Sequence, residues 1–193
     1  MLVRTTAINK IIKLKKRIKI IQGGTSAGKT FGILPILIHK AADTPNIEIS
    51  VVAESIPHLR RGALKDFLNI MKWTGRYFEQ RFNKSLLRYE FANGSYIEFF
   101  SADDSSKLRG ARRDILYINE CNNVDFNSYN ELAIRTKQEI YLDFNPANEF
   151  WVHTELKDEG DSDFLILTYK DNEALDERIV KEIEKNRLKA NTS

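Results

Sequence analysis

One short segment, residues 23–30, restricts the fold of this chain more than any other part of it. Its sequence, GGTSAGKT, matches the phosphate-binding loop pattern G-x-x-x-x-G-K-[ST] at each fixed position. Glycines let such a loop curl until successive backbone N–H groups point at phosphate oxygens. The pattern assigns Lys29 to the β- and γ-phosphates and the Thr30 hydroxyl to Mg²⁺. We therefore predict a nucleotide triphosphate site formed by Gly23, Gly24, Thr25, Ser26, Ala27, Gly28, Lys29 and Thr30.

The sequence on either side of this loop has the character that the motif requires. Residues 17–22 (RIKIIQ) form a short β-branched run typical of a strand, and residues 31–38 (FGILPILI) form an apolar run of helical length. The start of that helix would add its positive dipole to the phosphate site. Pro35 is expected to remove one hydrogen bond and to kink the helix. The alternative is a plain glycine turn followed by a surface lysine.

Strand and helix patterns alternate along almost the whole chain. Ser55 is a predicted N-cap with Pro57 in the first turn of the next helix. Asn93-Gly94 is a strong hairpin signal between residues 85–92 and 95–101, so we expect an antiparallel pair at one edge of a sheet. Further strands are predicted at residues 46–54, 114–119, 139–144 and 163–169, and further helices at 64–75, at 124–136, from about 148 and around 175–183.

These elements together predict the fold class. Alternating strands and helices are typical of a mostly parallel sheet with helices on both faces. We predict an α/β P-loop NTPase of the ASCE type (additional strand, catalytic glutamate), with the antiparallel hairpin at one edge. Ligands of such sheets bind at the carboxyl ends of the strands, where the loop at Gly23 would lie.

Composition and charge limit the class of protein. The chain has 193 residues, 42% of them hydrophobic, which suits one domain. Its net charge is +3, but no Asp or Glu precedes Asp43, so the basic start either contacts nucleic-acid phosphates or is a solvated flank. Cys121 is the only cysteine, which excludes an intrachain disulfide. Without an apolar stretch of about 20 residues or a signal peptide, we predict a soluble intracellular protein with no membrane partner.

A nucleotide hydrolase needs a second polar site near the phosphate loop. Glu120 follows the apolar run at residues 115–118, and a charge at the end of such a strand indicates a function. We predict that Glu120 is the catalytic carboxylate; a cap for the following segment is the alternative. Asn119 stands where an Asp is common, so its amide oxygen could hold a magnesium-bound water but adds no negative charge. Asp114 begins the same strand at its far end and is not expected to substitute.

Two further segments offer candidates for which several interpretations stay open. Asp143 and Asn145 end the next predicted strand, and either could sense the γ-phosphate, whereas a simple Asn-Pro turn is the alternative. The basic loop at residues 105–113 (SSKLRGARR) could supply an arginine finger to a neighbouring subunit, grip DNA phosphates or be a solvated loop.

Taken in order, five segments resemble the ATPase domain of the large terminase subunit of tailed double-stranded DNA bacteriophages. The segments are GGTSAGKT, KLRGARRD, LYINECNN, YLDFNP followed by NEFW, and TYKDN, and they extend over nearly the whole chain. The resemblance implies a motor that uses ATP and Mg²⁺ to pump double-stranded DNA into a capsid. By position it implies that Lys29 and Thr30 bind phosphate and Mg²⁺ and that Glu120 is catalytic. It also implies that Asn145 lies in the coupling motif and Arg109 is a trans-acting finger, with Arg112 and Arg113 as alternatives.

The same resemblance implies partners and a location. It implies a homo-oligomeric ring, commonly a pentamer, on the portal protein of the procapsid, with a small terminase subunit that selects DNA. An isolated domain is expected to stay monomeric, and the expected location is the cytoplasm of the infected bacterium. Two other functions stay open: a helicase-like or other nucleic-acid-dependent P-loop ATPase, and a nucleotide-binding assembly module with little hydrolysis.

The chain departs from the family pattern at three points. Thr25 stands where the family often has an arginine, and Asn119 replaces the usual Asp. Large terminases also have an RNase H-like nuclease domain after the ATPase. We interpret residues 1–193 as the motor domain and residues 171–193 as a helical approach to that absent domain, so nuclease activity is not expected in this chain.

Overall fold

A mixed sheet of eight strands forms the centre of the computed structural model, which describes residues 3–146 and 148–190. The strands are β1 Ile18–Gly23, β2 Glu48–Ala53, β3 Phe82–Asn83, β4 Arg88–Glu90, β5 Tyr96–Ser101, β6 Arg113–Ile118, β7 Thr136–Phe144 and β8 Ser162–Leu167. Their order across the sheet is β3-β4-β5-β2-β6-β7-β1-β8.

The sheet is parallel except at one edge. The six strands β5-β2-β6-β7-β1-β8, in their order across the sheet, are parallel to one another. At the other edge, β3 pairs antiparallel with β4, and β4 pairs antiparallel with β5. β7 lies between β1, which leads into the phosphate loop, and β6, which ends beside Glu120. This inserted strand is the additional strand of the ASCE-type fold, so the predicted fold class is confirmed.

Helices cover both faces of the sheet. They are α1 Thr6–Ile12, α2 Lys29–Asp43, α3 Ile56–Arg61, α4 Ala63–Trp73, α5 Ser105–Leu108, α6 Phe126–Ala133 and α7 Glu177–Ala190, with a π-helical turn at Val152–Leu156. One hydrophobic core packs α2 and α4 on one face, and a second packs α6 and the π-helical turn on the other. Within the described ranges, no helix has both the length and the apolar character that a membrane crossing needs.

The hairpin prediction is confirmed, although its first strand is short. β4 and β5 pair around a turn in which Gly94 has a φ of +83°, a backbone conformation that favours glycine. A further two-residue strand, β3, extends this edge and was not predicted. The predicted N-cap is also present, because the Ser55 hydroxyl accepts from the backbone N–H of His58 at 3.4 Å.

Several predicted bounds were wrong. β7 begins at Thr136, where the sequence predicted the end of a helix, because Thr136 pairs with Arg113 and Glu139 with Ile115 of β6 although residues 137–139 are polar. The helix expected from about residue 148 is the shorter π-helical turn. β8 stops at Leu167, since Thr168 caps a 3₁₀ turn at Tyr169–Asp171. Leu175 precedes α7 rather than lying inside it, and residues 191–193 of the predicted helical approach lie outside the described residues.

Two residues of α2 have special roles in packing. The helix continues through Pro35 as one element of 15 residues, so the proline does not end it, although it has no N–H to donate. Gly32 lets α1 cross close to α2: a Cβ on Gly32 would lie 2.7 Å from Cδ1 of Ile11. This close crossing holds α1 against the helix that follows the phosphate loop.

A buried charge cluster joins β1, β7 and α2 near the amino ends of the strands. The Glu139 carboxylate accepts from Lys40 Nζ at 2.9 Å and from the Tyr141 hydroxyl at 2.6 Å, and Lys19 Nζ lies 3.5 Å from it. Burial raises the pKa of the Glu139 carboxyl, but the hydrogen bonds from Tyr141 and Lys40 and the charges of Lys19 and Lys40 outweigh burial and hold it below its ordinary value. Glu139 therefore stabilises the fold while it is ionised.

We predict that Glu139→Gln lowers the free energy of unfolding at pH 7 by about 1–3 kcal/mol, because it leaves the buried Lys19 without a counter-charge. Since the folded-state pKa is depressed, this contribution is present above pH 4.5, the ordinary pKa, and is lost as the pH falls through the folded-state value. Urea unfolding at several pH values measures both effects. Glu182→Gln, at an exposed ion pair of 3.8 Å, is the control and should change stability by less than about 0.5 kcal/mol. Equal stability of Glu139→Gln and wild type at pH 7 would contradict the assignment.

Candidate nucleotide and hydrolysis site

The phosphate loop joins β1 to α2, and its last glycine, Gly28, is required by both its backbone conformation and the space around it. Gly28 has a φ of +75°, in the left-handed region, and a Cβ there would lie 3.1 Å from Cγ of Asn172. Asn172 in turn donates from Nδ2 to the Ser26 carbonyl at 3.1 Å. The segment after β8 therefore supports the loop from outside.

The two glycines at the start of the loop differ in what constrains them. A Cβ on Gly23 would lie 2.8 Å from both the Leu167 carbonyl oxygen and Cβ of Ala27, so no larger residue fits. A Cβ on Gly24 would meet nothing within 4 Å. This difference agrees with the motif, in which the first position is fixed and the second is free.

Lys29 is almost fully buried, with 6% of its surface exposed. Its ammonium donates to the carbonyls of Gly23 at 2.6 Å and Gly24 at 3.2 Å, and to Oδ1 of Asn145 at 2.8 Å. Burial lowers the pKa of this ammonium, whereas the charges of Asp143 and Glu120 oppose that shift. The structure thus brings Asn145, a predicted sensor, into direct contact with the predicted phosphate-binding lysine.

Asp143 is the negative charge at the centre of the site, with 1% of its surface exposed. Its Oδ1 accepts from Nδ2 of Asn119 at 3.0 Å, from the Tyr117 hydroxyl at 3.1 Å and from the backbone N–H of Glu120 at 2.9 Å. Burial raises the pKa of the Asp143 carboxyl, and the nearby Lys29 charge and these hydrogen bonds oppose the rise. Asp143 thus places a carboxylate from the neighbouring strand directly beside Asn119.

Glu120 leaves the end of β6 in an unusual backbone conformation. Its φ of +53° is left-handed, which costs energy for a residue with a side chain, and the Asp143 hydrogen bond to its N–H helps hold it there. Oε2 of Glu120 lies 3.1 Å from Nε2 of His58 on α3 and accepts from Asn123 at 3.5 Å. The backbone conformation of Glu120 therefore sets the direction of its side chain, and the contact with His58 of α3 fixes the position of the carboxylate.

The residues predicted to hold Mg²⁺ offer oxygen atoms, the donors that this ion prefers. The Thr30 side chain interacts with the Tyr117 hydroxyl, and Nδ2 of Asn119 donates to that hydroxyl at 3.2 Å and to Asp143. Asn119 therefore turns its NH₂ toward β7, and its Oδ1 lies on the side of Gly62, where a Cβ would be 3.5 Å from it. Since the Tyr117 hydroxyl donates to Asp143, it links Thr30 to that carboxylate. This donor set fits a magnesium ion shared with nucleotide phosphates and water.

The three arginines of the basic loop have different environments. Arg109 and Arg112 are exposed between α5 and β6, and within residues 3–146 and 148–190 no hydrogen bond or ion pair joins Arg109 to the phosphate loop. Arg113 is buried in β6, where it donates to Ser50 at 3.0 Å and to the Leu132 carbonyl at 3.1 Å. Its guanidinium is buried and hydrogen-bonded within its own subunit, so it cannot reach a neighbouring subunit, and Arg113 is no longer a candidate finger.

Asp114 lies at the opposite end of β6 from Glu120, as predicted. Its carboxylate accepts from the backbone N–H of Glu48 at 2.9 Å and lies 3.3 Å from Lys137 Nζ. These contacts stabilise the fold at the amino end of β6, whereas the phosphate loop lies at the carboxyl ends of the strands.

A cavity of about 330 Å³ opens beside the loop. Phe31, directly after Thr30, and Trp73 at the end of α4 lie along it as stacked rings with centroids 6.1 Å apart. Leu175 and Ile179, from the segment after β8, complete its apolar lining, and Gly28 connects it to the phosphate loop. Its size and aromatic wall suit a nucleoside.

Sequence reasoning missed three residues of this site. His58 and Tyr117 gave no motif signal, because a histidine in a helix and a tyrosine in an apolar strand are ordinary in a core. Asn172 belongs to the segment TYKDN, which entered the family resemblance, but nothing in the sequence indicated its contact with Gly28.

Comparisons with known proteins agree with this fold. The family described as "Phage terminase large subunit" matches residues 15–192. A search of curated protein sequences found no match. Among solved structures, the large terminase of a thermophilic bacteriophage superposes with a TM-score of 0.79 at 18% identity, over 93% of this chain and 49% of that one. The same protein in complex with ATP-gamma-S gives a TM-score of 0.77 at 18% identity, over 93% and 48%.

A third solved structure, the Phi-28 gp11 DNA packaging motor, superposes with a TM-score of 0.57 at 14% identity, over 95% of this chain and 65% of that one. At these identities the solved structures establish the fold, and this chain spans about half the length of the thermophilic-phage terminase. The family match extends over most of the sequence. On that match, the chain belongs to the phage terminase large subunit family.

Proposed function

We propose that this chain is the motor domain of a DNA-packaging terminase, which hydrolyses ATP to translocate double-stranded DNA into a capsid. The observation that supports it best is the convergence of Lys29, Asn145, Asp143 and Glu120 at the carboxyl ends of β1, β7 and β6. Family membership and the likeness to the thermophilic-phage terminase and the Phi-28 motor agree with this function.

Binding of the γ-phosphate would rearrange the contacts of Lys29. Its ammonium now donates to three neutral oxygens, and an anionic phosphate is the stronger acceptor. When Lys29 turns to the phosphate, Asn145 loses its donor and becomes free to bond elsewhere. Asn145 is thereby a direct reporter of whether the site is filled, which supports its assignment to the coupling motif.

Hydrolysis needs a carboxylate that orients the attacking water. Glu120 is suited to this because its side chain is 36% exposed, unlike the buried Asp143. Mg²⁺, held by Thr30 and Asn119 with the phosphates, would neutralise charge on the transferred phosphoryl group. His58 holds Glu120 from α3 and so controls where the carboxylate points.

The cavity beside Phe31 is proposed as the site of the nucleoside. With phosphates bound to residues 23–30, the sugar and base would extend past Gly28 to Phe31, both of which line this cavity. The rings of Phe31 and Trp73 lie nearly parallel, at 15°, and such a surface suits a planar base.

Assembly supplies the remaining part. Arg109 is exposed and makes no contact with its own phosphate loop in the described residues, so we infer that it acts as a finger on a neighbouring subunit in a ring, with a pentamer as the expected form. The proposed partners are double-stranded DNA, the portal protein of the procapsid and a small terminase subunit, within the cytoplasm of the infected bacterium. The isolated domain is expected to be a slow, monomeric ATPase without nuclease activity.

We predict that Glu120→Gln lowers kcat for ATP about 10²- to 10⁴-fold, the usual contribution of a catalytic acid or base, and leaves nucleotide affinity nearly unchanged. Steady-state phosphate release and nucleotide titration measure the two quantities. Glu131→Gln is the matched control, because the Glu131 side chain is 38% exposed and lies on α6. A wild-type rate no greater than that of Glu120→Gln would sink the catalytic assignment and favour a binding module with little hydrolysis.

For the finger, we predict that Arg109→Ala keeps nucleotide binding but loses hydrolysis in the assembled motor by about 10³-fold or more. Mixing it with Lys29→Ala subunits should restore part of the activity, since each variant supplies what the other lacks. Arg112→Ala, at the second exposed arginine of the basic loop, is the control. Assembled mixtures without any recovery would rule out action in trans, and loss of activity in Arg112→Ala alone would move the role to Arg112.

For the nucleoside site, we predict that Trp73→Ala raises the Kd for ATP about 3- to 10-fold, the cost of one lost aromatic contact. Affinity for tripolyphosphate should not change, because that anion has no base to stack. Fluorescent-nucleotide competition measures both, and Phe78→Ala, at a similarly exposed aromatic residue, is the control. Equal weakening of ATP and tripolyphosphate would show that Trp73 acts through the fold and not on the base.

A further inference from the structure

A larger cavity, of about 580 Å³, lies beneath α1 and has no part in the proposed nucleotide site. Lys19 in its floor precedes Gly23 by four residues of β1, which is about 13 Å along an extended strand. Pro35 in its wall follows Lys29 by six residues of α2, about 9 Å along the helix. The cavity is therefore a separate place, toward the amino ends of the strands.

One side of this cavity is apolar. Ile8, Ile11 and Ile12 of α1, Leu14 and Ile36 of α2 contribute its apolar lining. Ile12 remains 48% exposed at the mouth. This wall can accept a hydrocarbon body that enters from solvent.

The other side has an excess of positive charge. Lys15, Lys19 and Lys40 line it with only one carboxylate, that of Glu139. That carboxylate is already shared, because one oxygen accepts from Lys40 at 2.9 Å and the other accepts from Tyr141 at 2.6 Å and lies 3.5 Å from Lys19. Asp163 lies near Lys19 but accepts from the backbone N–H groups of Lys15 and Lys16.

Lys19 is a buried lysine with a fixed position in the cavity lining, unlike a solvent-exposed surface lysine. It is 5% exposed, donates to the Lys16 carbonyl at 2.7 Å and lies 5.3 Å from the centre of the Tyr141 ring. Its ion-pair partner at 3.5 Å, Glu139, is shared with a second lysine, and Asp163 is engaged by backbone N–H groups, so a further anion would stabilise this buried ammonium.

We propose that this cavity binds an amphipathic carboxylate, with its head group between Lys19 and Lys40 and its apolar body along Ile8, Ile11, Ile12 and Ile36. Charge complementarity selects the head, and the isoleucine wall selects an aliphatic or flat aromatic body. A neutral molecule of the same shape would leave the lysines uncompensated, and a cation would be repelled. The site is distinct from the nucleotide site, so this inference does not depend on the proposed function.

Isothermal titration calorimetry of the purified chain with decanoate tests the proposal, with decanol and decylamine as ligands of the same length and different charge. We expect decanoate to bind one per chain and decanol to bind at least about tenfold more weakly, the loss expected for a hydrogen-bonded charge. Decylamine should not bind. Saturating ATP should leave the decanoate affinity unchanged, whereas competition would place decanoate in the nucleotide site and overturn the location.

Two variants test the two sides of the cavity separately. Lys19→Met should weaken decanoate about tenfold or more. Ile12→Glu changes an exposed residue, so it should fold normally, and it should also weaken decanoate about tenfold by adding a negative charge at the mouth. Lys65→Gln, an exposed lysine on α4, is the control and should have no effect. Equal affinity for decanoate and decanol, no measurable decanoate binding, or unchanged affinity in Ile12→Glu would overturn the proposal.

Discussion

The rest of the site depends on how the ammonium of Lys29 is held. It is buried against three neutral oxygens, of Gly23, Gly24 and Asn145, while the nearest buried carboxylate, Asp143, influences it only through its charge. Two opposite charges that have both lost hydration without direct contact leave the site electrostatically incomplete. A triphosphate at the proposed site would give Lys29 a direct anionic partner, and it is the ligand that the loop motif indicates.

The order of the strands explains why these groups meet. With β7 between β1 and β6, the residues that end β7 lie between the phosphate loop and the predicted catalytic carboxylate. Asp143 uses this position to anchor both residues at the end of β6, through the side chain of Asn119 and the backbone of Glu120. Asn145, two residues later, reaches the lysine instead. The end of β7 therefore contacts both the phosphate-loop lysine and the end of β6 that carries Glu120.

Much of this arrangement could be predicted from the sequence, and the rest could not for physical reasons. The loop pattern, the Asn-Gly hairpin and the apolar strand before Glu120 are local features, and each gives its own signal. Asp143 was predicted only as a sensor, because its contacts with Asn119 and Glu120 depend on which strands are neighbours. His58 reaches Glu120 from a helix 62 positions earlier, and β7 extends back to Thr136 through pairing with β6, so both depend on tertiary contacts. Arg113 looked like its neighbours in sequence but is buried by the register of β6.

The contact of Asn172 with the phosphate loop has a mechanical consequence. Its side chain fills the space beside Gly28 and bonds the Ser26 carbonyl, while Asp171 next to it forms an ion pair of 2.7 Å with Lys10 of α1. The turn after β8 is thus fastened at once to the loop and to the first helix. If α7 were pulled, the load would reach the phosphate loop through this turn, because Asn172 contacts Gly28 and Ser26 there. Load on α7 and nucleotide at the loop would then act on the same few contacts.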